Sequence, residues 1–142
     1  MTTKQNLSPV ATVTAIYEAF GRGDVPTILG LLADDVVFDD DRLPSSAQSA
    51  NHPLLSTRRG KEGFTAFFAE LGGYTIHDFQ VTDLLAGDGV VAARVLIDIA
   101  YPSGARVSDD EMHLWRFDAH GLVAEMRHYA DTAKHLASWR GE

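Results

Sequence analysis

Apolar residues in the first part of the chain recur every three or four positions, a spacing typical of helices that bury one face. The first helix is expected to begin at Ser8-Pro9, where an N-cap residue precedes a proline, and to end at Gly21-Arg22-Gly23. Asp24 is expected to cap a second helix that stops near Asp34-Asp35, followed by a short strand over Val36-Val37-Phe38. The pattern predicts two consecutive helices that lead into a strand.

The segment from Asp39 to Arg59 has no apolar periodicity and contains Pro44 and a serine-rich stretch. Irregular connections of this length are uncommon in compact domains unless they are functional or disordered. A third helix is predicted to follow from Gly60 and to end at Gly72-Gly73. Its apolar face is expected to consist of Phe64, Phe67, Phe68 and Leu71. This face is typical of core packing.

The pattern then changes to segments of about ten residues, rich in Val, Ile, Phe and Trp, that alternate with the turn sequences AGDG, PSGA and DAHG. They predict an antiparallel meander of four long strands, bent by a bulge at His77-Asp78. Asp131 is expected to cap a final helix. Helices followed by a meander predict one α+β domain over residues 1–142, in which helices cover one side of a strongly curved sheet and enclose a cone-shaped interior.

Composition excludes several classes of function. The sequence is 45% hydrophobic and lacks cysteine, so thiolate chemistry, disulfides and cysteine-ligated zinc are excluded. Its net charge of −8 disfavours nucleic acid and anionic membrane surfaces as partners. We find neither a signal peptide pattern nor an apolar run of transmembrane length, and the protein is expected to be soluble and cytoplasmic.

Three stretches carry a resemblance to a known family. They read YEAFGRGDVPTILGLLADDVVFDD, GKEGFTAFFAEL and HLWRFDAHGLVAEMRHYADT. Together they resemble the ketosteroid isomerase-like, or SnoaL-like, branch of the nuclear transport factor 2-like (NTF2-like) fold. The resemblance implies a conical cavity for a small apolar molecule and a homodimer that forms through the sheet face. It does not fix the activity, because this fold supports many unrelated functions.

The resemblance places Asp40 where steroid isomerases keep their general base. Beside apolar walls and two like charges, such a carboxyl group should have a raised pKa, which suits a base; ketosteroid isomerase is itself a standard example of this tuning. The alternative is that Asp39, Asp40 and Asp41 are all solvated loop residues.

The second half of a proton-transfer site must stabilise a developing oxyanion. The resemblance places His113 at the position of the isomerase donor, and strand alternation puts His113 and Trp115 on one face. His128 and Met126 are expected to line the same cavity from the last strand. The isomerase tyrosine of the first helix corresponds to Ile16 in this register, with Tyr17 one residue away, so true steroid isomerisation is not expected.

Counting back from the PSGA turn places Leu96 and Asp98 on the inward face, although Asp98 also fits a solvent-facing position. The predicted substrate-binding residues are Ile16, Tyr17, Phe38, Phe67, Leu96, Asp98, Trp115 and Met126. Asp40, His113 and His128 have the composition of a metal triad but not its local spacing, so neither a metal nor another cofactor is expected. His52 is a possible lid residue, and His77, His120 and His135 are predicted at the surface.

These expectations combine into an enzyme that moves a proton next to the carbonyl group of a small apolar or polyketide-like compound. Asp40 would be the base, and His113, helped by His128, would stabilise the enolate. Isomerase, cyclase and lyase chemistries all remain open. Two alternatives remain: a non-catalytic module that binds a hydrophobic molecule, and an accessory protein whose sheet face recruits another protein.

Overall fold

A computed structural model describes residues 7–141, in which helices cover one face of a curved, unclosed sheet of six strands. The helices are α1 (Pro9–Gly21), α2 (Val25–Gly30), α3 (Ser46–Ser49), α4 (Gly60–Leu71) and α5 (Thr132–Arg140). The strands are β1 (Leu32–Phe38), β2 (Arg58–Arg59), β3 (Thr75–Gly87), β4 (Val90–Ala100), β5 (Arg106–Phe117) and β6 (Val123–Tyr129). The predicted α+β class is confirmed.

The strand order is β2-β1-β6-β5-β4-β3. The pairs from β3 to β6 form the predicted antiparallel meander, whereas β1 adds to β6 in parallel. The pairing between β3 and β4 shifts between Ile76 and Asp78, which confirms the predicted bulge. This connectivity brings the end of β1 beside β6, in the middle of the sheet.

The predicted helix caps are confirmed. The Ser8 hydroxyl accepts a hydrogen bond from the N–H of Ala11 at 3.1 Å, and the Asp24 carboxylate accepts one from Thr27 at 3.2 Å. Asp131 caps α5 in the same way. These caps fix the starts of the first, second and last helices.

The boundary between α2 and β1 differs from the prediction. The helix ends at Gly30, and the strand already begins at Leu32, which pairs with Val123 of β6. The N–H of Val123 donates to the carbonyl of Leu31 at 3.0 Å. Pairing with a distant strand therefore overrides the helical spacing of Leu31 and Leu32.

The connection from Asp39 to Arg59 is ordered and contains both α3 and β2. A reciprocal capping box of Ser45 and Gln48 begins α3. The amide of Gln48 also donates to the carbonyls of Asp39 and Asp40, each at 2.8 Å. This side chain therefore ties the connection to the end of β1.

The core lies between the helices and the inner face of the sheet. It includes the fully buried Val13 of α1, Phe38 of β1 and Phe64 of α4. Gly63 allows α4 to lie close to the chain before it, because a Cβ at this position would stand 2.9 Å from the Cβ of Arg58. Within residues 7–141, no helix combines the length and apolarity needed to cross a membrane.

Candidate active site

A cavity of about 70 Å³ lies between α1, α4 and the inner face of the sheet. Its walls are aromatic and aliphatic, and its polar atoms come from a few side chains of α1, β5 and β6. The lining residues are Ile16, Tyr17, Phe20, Ile28, Phe38, Phe64, Phe67, Phe68, Leu71, Phe79, His113, Trp115, Met126 and His128. Tyr17, Phe20 and Phe79 also line an outer groove of about 850 Å³ between α1 and β3. These three rings therefore separate the inner cavity from the groove.

Asp39 supplies a carboxylate that contacts the cavity-lining His128. Its backbone has a φ of 54°, in the left-handed region that Asp tolerates better than most residues. Strand alternation after the inward-facing Phe38 would turn Asp39 outward and Asp40 inward, but the left-handed turn reverses the order. Asp39 is consequently buried, with 3% of its surface exposed.

The Asp39 carboxylate is held by His128. One oxygen accepts the backbone N–H of His128 at 2.7 Å, and the other accepts Nδ1–H of the ring at 2.8 Å. Burial lowers the pKa of His128, but the Asp39 charge and hydrogen bond, with a contribution from Glu111, outweigh it and leave that pKa raised.

His128 lines the cavity, and Nε2 is the ring nitrogen that Asp39 does not hold. Nε2 makes no hydrogen bond to any residue within 7–141. Part of its surface is accessible, since Nη1 of Arg58 is the sole side-chain nitrogen or oxygen in that range that is both completely buried and without a partner. The ring lies among Phe38, Phe67 and His113, at centroid distances of 5.0, 5.8 and 4.7 Å. Nε2 is thus a free acid–base atom in an apolar setting.

His113 lines the cavity as predicted, but both of its ring nitrogens are engaged. Nδ1 lies 2.7 Å from the Tyr17 hydroxyl, and Nε2 lies 3.0 Å from a carboxylate oxygen of Glu111. The Tyr17 oxygen also accepts Nε1–H of Trp115 at 3.1 Å. His113 therefore offers no free N–H to a developing oxyanion in this arrangement.

Glu111 connects this cluster to a second series of buried hydrogen bonds. Its other oxygen lies 3.2 Å from Nε2 of His135, whose Nδ1 lies 2.8 Å from the Tyr101 hydroxyl. That hydroxyl is 2.7 Å from Nε2 of His52. The predicted surface position of His135 is wrong, since it is 3% exposed, and His52 is fully buried rather than placed as a lid. Both rings lie inside because the loop and α5 pack against the end of the sheet.

The position predicted for Asp40 is wrong. Its side chain lies on the outer side of the sheet, where Arg42 binds both carboxylate oxygens at 3.0 and 3.2 Å. Hydrogen bonds from Arg42 hold the pKa of Asp40 well below its usual range, which is the opposite of the tuning expected for a base. Asp39 occupies the place that the sequence assigned to Asp40.

The inward orientation predicted for Leu96 and Asp98 is also wrong. Their neighbours Val95 and Ile99 are buried against the core, and Asp98 binds Arg106 on the outer face through two contacts of 3.0 Å. The hairpin loop spans residues 101–105, with Ala100 paired to Arg106. Counting from the turn was off by one residue, which exchanges the two faces of the strand.

The remaining predicted lining residues reach the cavity. Ile16, Phe38, Phe67, Trp115 and Met126 all line it, together with Tyr17, whose hydroxyl takes part in the polar cluster. The residues that sequence reasoning missed are Asp39, Glu111 and His135. The alternation of Asp109, Glu111 and His113 along one face of β5 was the available signal for Glu111.

Asp109, Glu111 and His135 bring three possible metal-ligand atoms within 4.8 Å of one another. Asp109 already accepts the backbone N–H groups of Asp110 and Asp131, at 2.9 and 3.0 Å. Nε2 of His135 is 3.1 Å from Asp109 and 3.2 Å from Glu111. Hydrogen bonds account for this arrangement, and we assign the three residues to the buried network rather than to a metal centre.

The fold has many solved relatives. An NTF2-like protein of unknown function from Burkholderia pseudomallei K96243 is 23% identical, with a TM-score of 0.76 over 93% of this chain and 98% of that one. TerC, co-crystallised with polyporic acid, is 20% identical, with a TM-score of 0.74 over 94% and 99% of the two chains. A candidate polyketide cyclase from Pseudomonas putida KT2440 is 20% identical, with a TM-score of 0.69 over 93% and 98%.

No curated protein matches the sequence. The family model described as a SnoaL-like domain matches residues 13–126, which include α1 from Val13 onward, the meander up to Met126 and most of the cavity lining. The chain therefore belongs to the SnoaL-like family, and its fold is that of NTF2-like proteins.

Proposed function

We propose that the protein is an enzyme that moves a proton next to the carbonyl group of a small, largely apolar compound, with His128 as the acid–base group. The observation that carries the proposal is the Asp39–His128 pair, whose contact of 2.8 Å leaves Nε2 of this cavity-lining histidine without a partner among residues 7–141. A carboxylate that holds one imidazole nitrogen fixes the tautomer and stabilises the imidazolium that forms.

In this reaction, Nε2 takes a proton from the carbon next to the carbonyl, and the electron pair of the C–H bond forms the enolate. The resulting imidazolium lies beside the enolate, where its charge is stabilising in an apolar site. It then returns the proton to carbon or to oxygen. Isomerisation, cyclisation and elimination all begin with this step.

Cavity size restricts the group that reacts. A buried water needs about 10–15 Å³ in this kind of volume, so a cavity of 70 Å³ holds a group of about five or six heavy atoms. The remainder of a larger substrate would lie in the groove beyond Tyr17 and Phe79. The names of two relatives, a candidate polyketide cyclase and a protein crystallised with polyporic acid, support an organic compound of this kind.

Cyclopentanone, which has six heavy atoms, is a suitable probe. We expect the protein to accelerate exchange of its α-hydrogens in D₂O, followed by ¹H NMR. His128→Gln should slow the exchange by about 100-fold or more, as loss of a general base does, whereas Asp98→Asn, on the outer face, should not slow it. Equal exchange with wild type and His128→Gln would contradict the proposal, and binding without exchange would favour a ligand-binding protein.

A further inference from the structure

We propose that Glu111 is a positioning residue that turns the Tyr17 hydroxyl proton away from the cavity, so that the site accepts a hydrogen bond from a hydroxylated substrate. The consequence for the substrate rests on the proposed function. The hydrogen-bond arrangement itself does not, and it can be measured without a substrate.

The first step concerns the charge of Glu111, which is 6% exposed. Burial would raise its pKa, but the two imidazoles that donate to it, His113 and His135, keep that pKa well below the usual value. A carboxylate has only acceptor atoms, so each facing imidazole nitrogen must carry a proton. His113 is thereby fixed with its proton on Nε2.

The second step concerns Tyr17. Burial lowers the pKa of His113, so the ring is neutral near pH 7, and with Nε2 protonated its Nδ1 has only a lone pair. The Tyr17 hydroxyl, 2.7 Å away, must donate to that lone pair. Its oxygen receives Nε1–H of Trp115 and retains one further lone pair. Tyr17 can consequently accept a hydrogen bond from a ligand but not donate one.

The hydrogen bonds at the His52 end of the network independently show that donors point toward Glu111. The backbone N–H of Leu54 donates to Nδ1 of His52 at 3.1 Å, which places the proton of neutral His52 on Nε2. Burial lowers the pKa of His52 to about 4, so the neutral form is the relevant one. His52 then donates to Tyr101, Tyr101 donates to Nδ1 of His135, and His135 donates from Nε2. Both chains of donors converge on Glu111.

Glu111→Gln distinguishes this role from simple packing. An amide offers one acceptor and one donor, and His135 keeps its Nε2 proton because Asp109 also accepts it at 3.1 Å. The amide oxygen therefore faces His135 and the amide N–H₂ faces His113, which forces the His113 proton onto Nδ1. Tyr17 then accepts from His113 and turns its own proton toward the cavity.

The experiment is long-range ¹H–¹⁵N NMR of the imidazoles in ¹⁵N-labelled protein. We expect His113 to be protonated on Nε2 in the wild type and on Nδ1 in Glu111→Gln. The control is Tyr101→Phe, which breaks the same network beyond His135 and should leave His113 unchanged. A wild-type His113 with its proton on Nδ1, or an unchanged tautomer in Glu111→Gln, would overturn the proposal. The wild-type spectrum decides alone if that variant does not fold.

A second measurement tests the substrate class. The α-hydrogen exchange of 2-hydroxycyclopentanone should be favoured over that of 2-methoxycyclopentanone by about tenfold, the value of one hydrogen bond. The preference should vanish in Glu111→Gln and persist in Tyr101→Phe. A preference that survives in Glu111→Gln overturns the inference. If neither ketone exchanges faster than in buffer, the proposed function fails, while the His113 tautomer still decides the role of Glu111.

Discussion

Nδ1 of His128 lies 2.8 Å from one oxygen of Asp39, and the backbone N–H of the same histidine lies 2.7 Å from the other. The histidine therefore holds the carboxylate through both its ring and its main chain. Since β1 and β6 are neighbours in the sheet, this contact is fixed by strand pairing rather than by a flexible loop. The ring of this cavity-lining histidine therefore has little freedom to reorient.

Asp39→Asn should lower the exchange rate of cyclopentanone by at least about tenfold, because an amide has one acceptor for the two N–H groups of His128 and carries no charge to stabilise the imidazolium. Asn also tolerates the left-handed backbone at this position, so the effect is not one of strain. The matched control is Asp40→Asn, one residue along and on the outer side, which should keep the wild-type rate. Equal losses in the two variants would contradict the assignment. NMR exchange assays measure both.

The exchange rate should rise with pH through the pKa of His128, because the base must be neutral to accept a proton. Burial lowers the pKa of His128, but the charge and hydrogen bond of Asp39 outweigh burial and raise that pKa in the folded protein. The midpoint should therefore lie above the ordinary value of about 6.5. In Asp39→Asn the midpoint should move to lower pH. A midpoint that does not respond to this substitution would exclude His128 as the titrating group. The measurement is a pH–rate profile of each protein.

Acid should destabilise the protein through His52. Its pKa falls from an ordinary 6.5 to about 4 on folding, so the unfolded chain binds more protons between these values and stability is lost as pH falls through this window. The full effect is roughly 3 kcal/mol. His52→Phe should be less stable at pH 7 but lose less stability between pH 6.5 and 4, as measured by urea unfolding. His120→Gln, an exposed turn residue, should retain the wild-type slope.

Tyr17→Phe should reduce the free energy of unfolding by about 2 kcal/mol or more. The substitution leaves two buried groups without a partner, Nδ1 of His113 and Nε1–H of Trp115, and each unpaired buried group costs about 1–3 kcal/mol. Tyr129→Phe, which alters a half-exposed ring on the outer face, should change stability little. Urea titrations of both variants test this, and similar values for the two would show that the Tyr17 hydroxyl is not needed.

The homodimer expected from the family resemblance remains a prediction. Tyr129, on the outer face of the sheet, and Leu43, in the adjoining 39–59 connection, line one groove and are 50% and 84% exposed. Light scattering should give twice the chain mass of 15.5 kDa, and Tyr129→Glu should shift the protein toward the monomer. A monomeric wild type at micromolar concentration would exclude this use of the outer face.

The sequence predicted the elements well because caps and turns are local signals. Ser8, Asp24 and Asp131 all cap the helices expected of them. It failed where a distant strand decides, as at Leu32, which pairs with β6 instead of extending α2. The local sequence around Leu32 contains no signal for that pairing.

The candidate site was predicted in composition but not in register. The family resemblance placed Asp40 inside and counting from the PSGA turn placed Leu96 inside. Each is displaced by one position, Asp40 by a left-handed turn and Leu96 by the length of the hairpin loop. His113 and His128 were placed correctly because they pair with each other in a stretch of regular register from Met112 to Arg116. The buried network around Glu111 depends on α5 and the 39–59 connection, whose docking no periodicity reveals.

The left-handed backbone at Asp39 also restricts how this position can vary. Few residues accept that conformation readily, and among them only Asp carries a carboxylate. A glutamate would lengthen the arm and strain the main chain at once, so the reach of the acid cannot be adjusted by simple exchange. Any relocation of this acid, natural or engineered, would require the Asp39–Asp41 turn to be rebuilt with it.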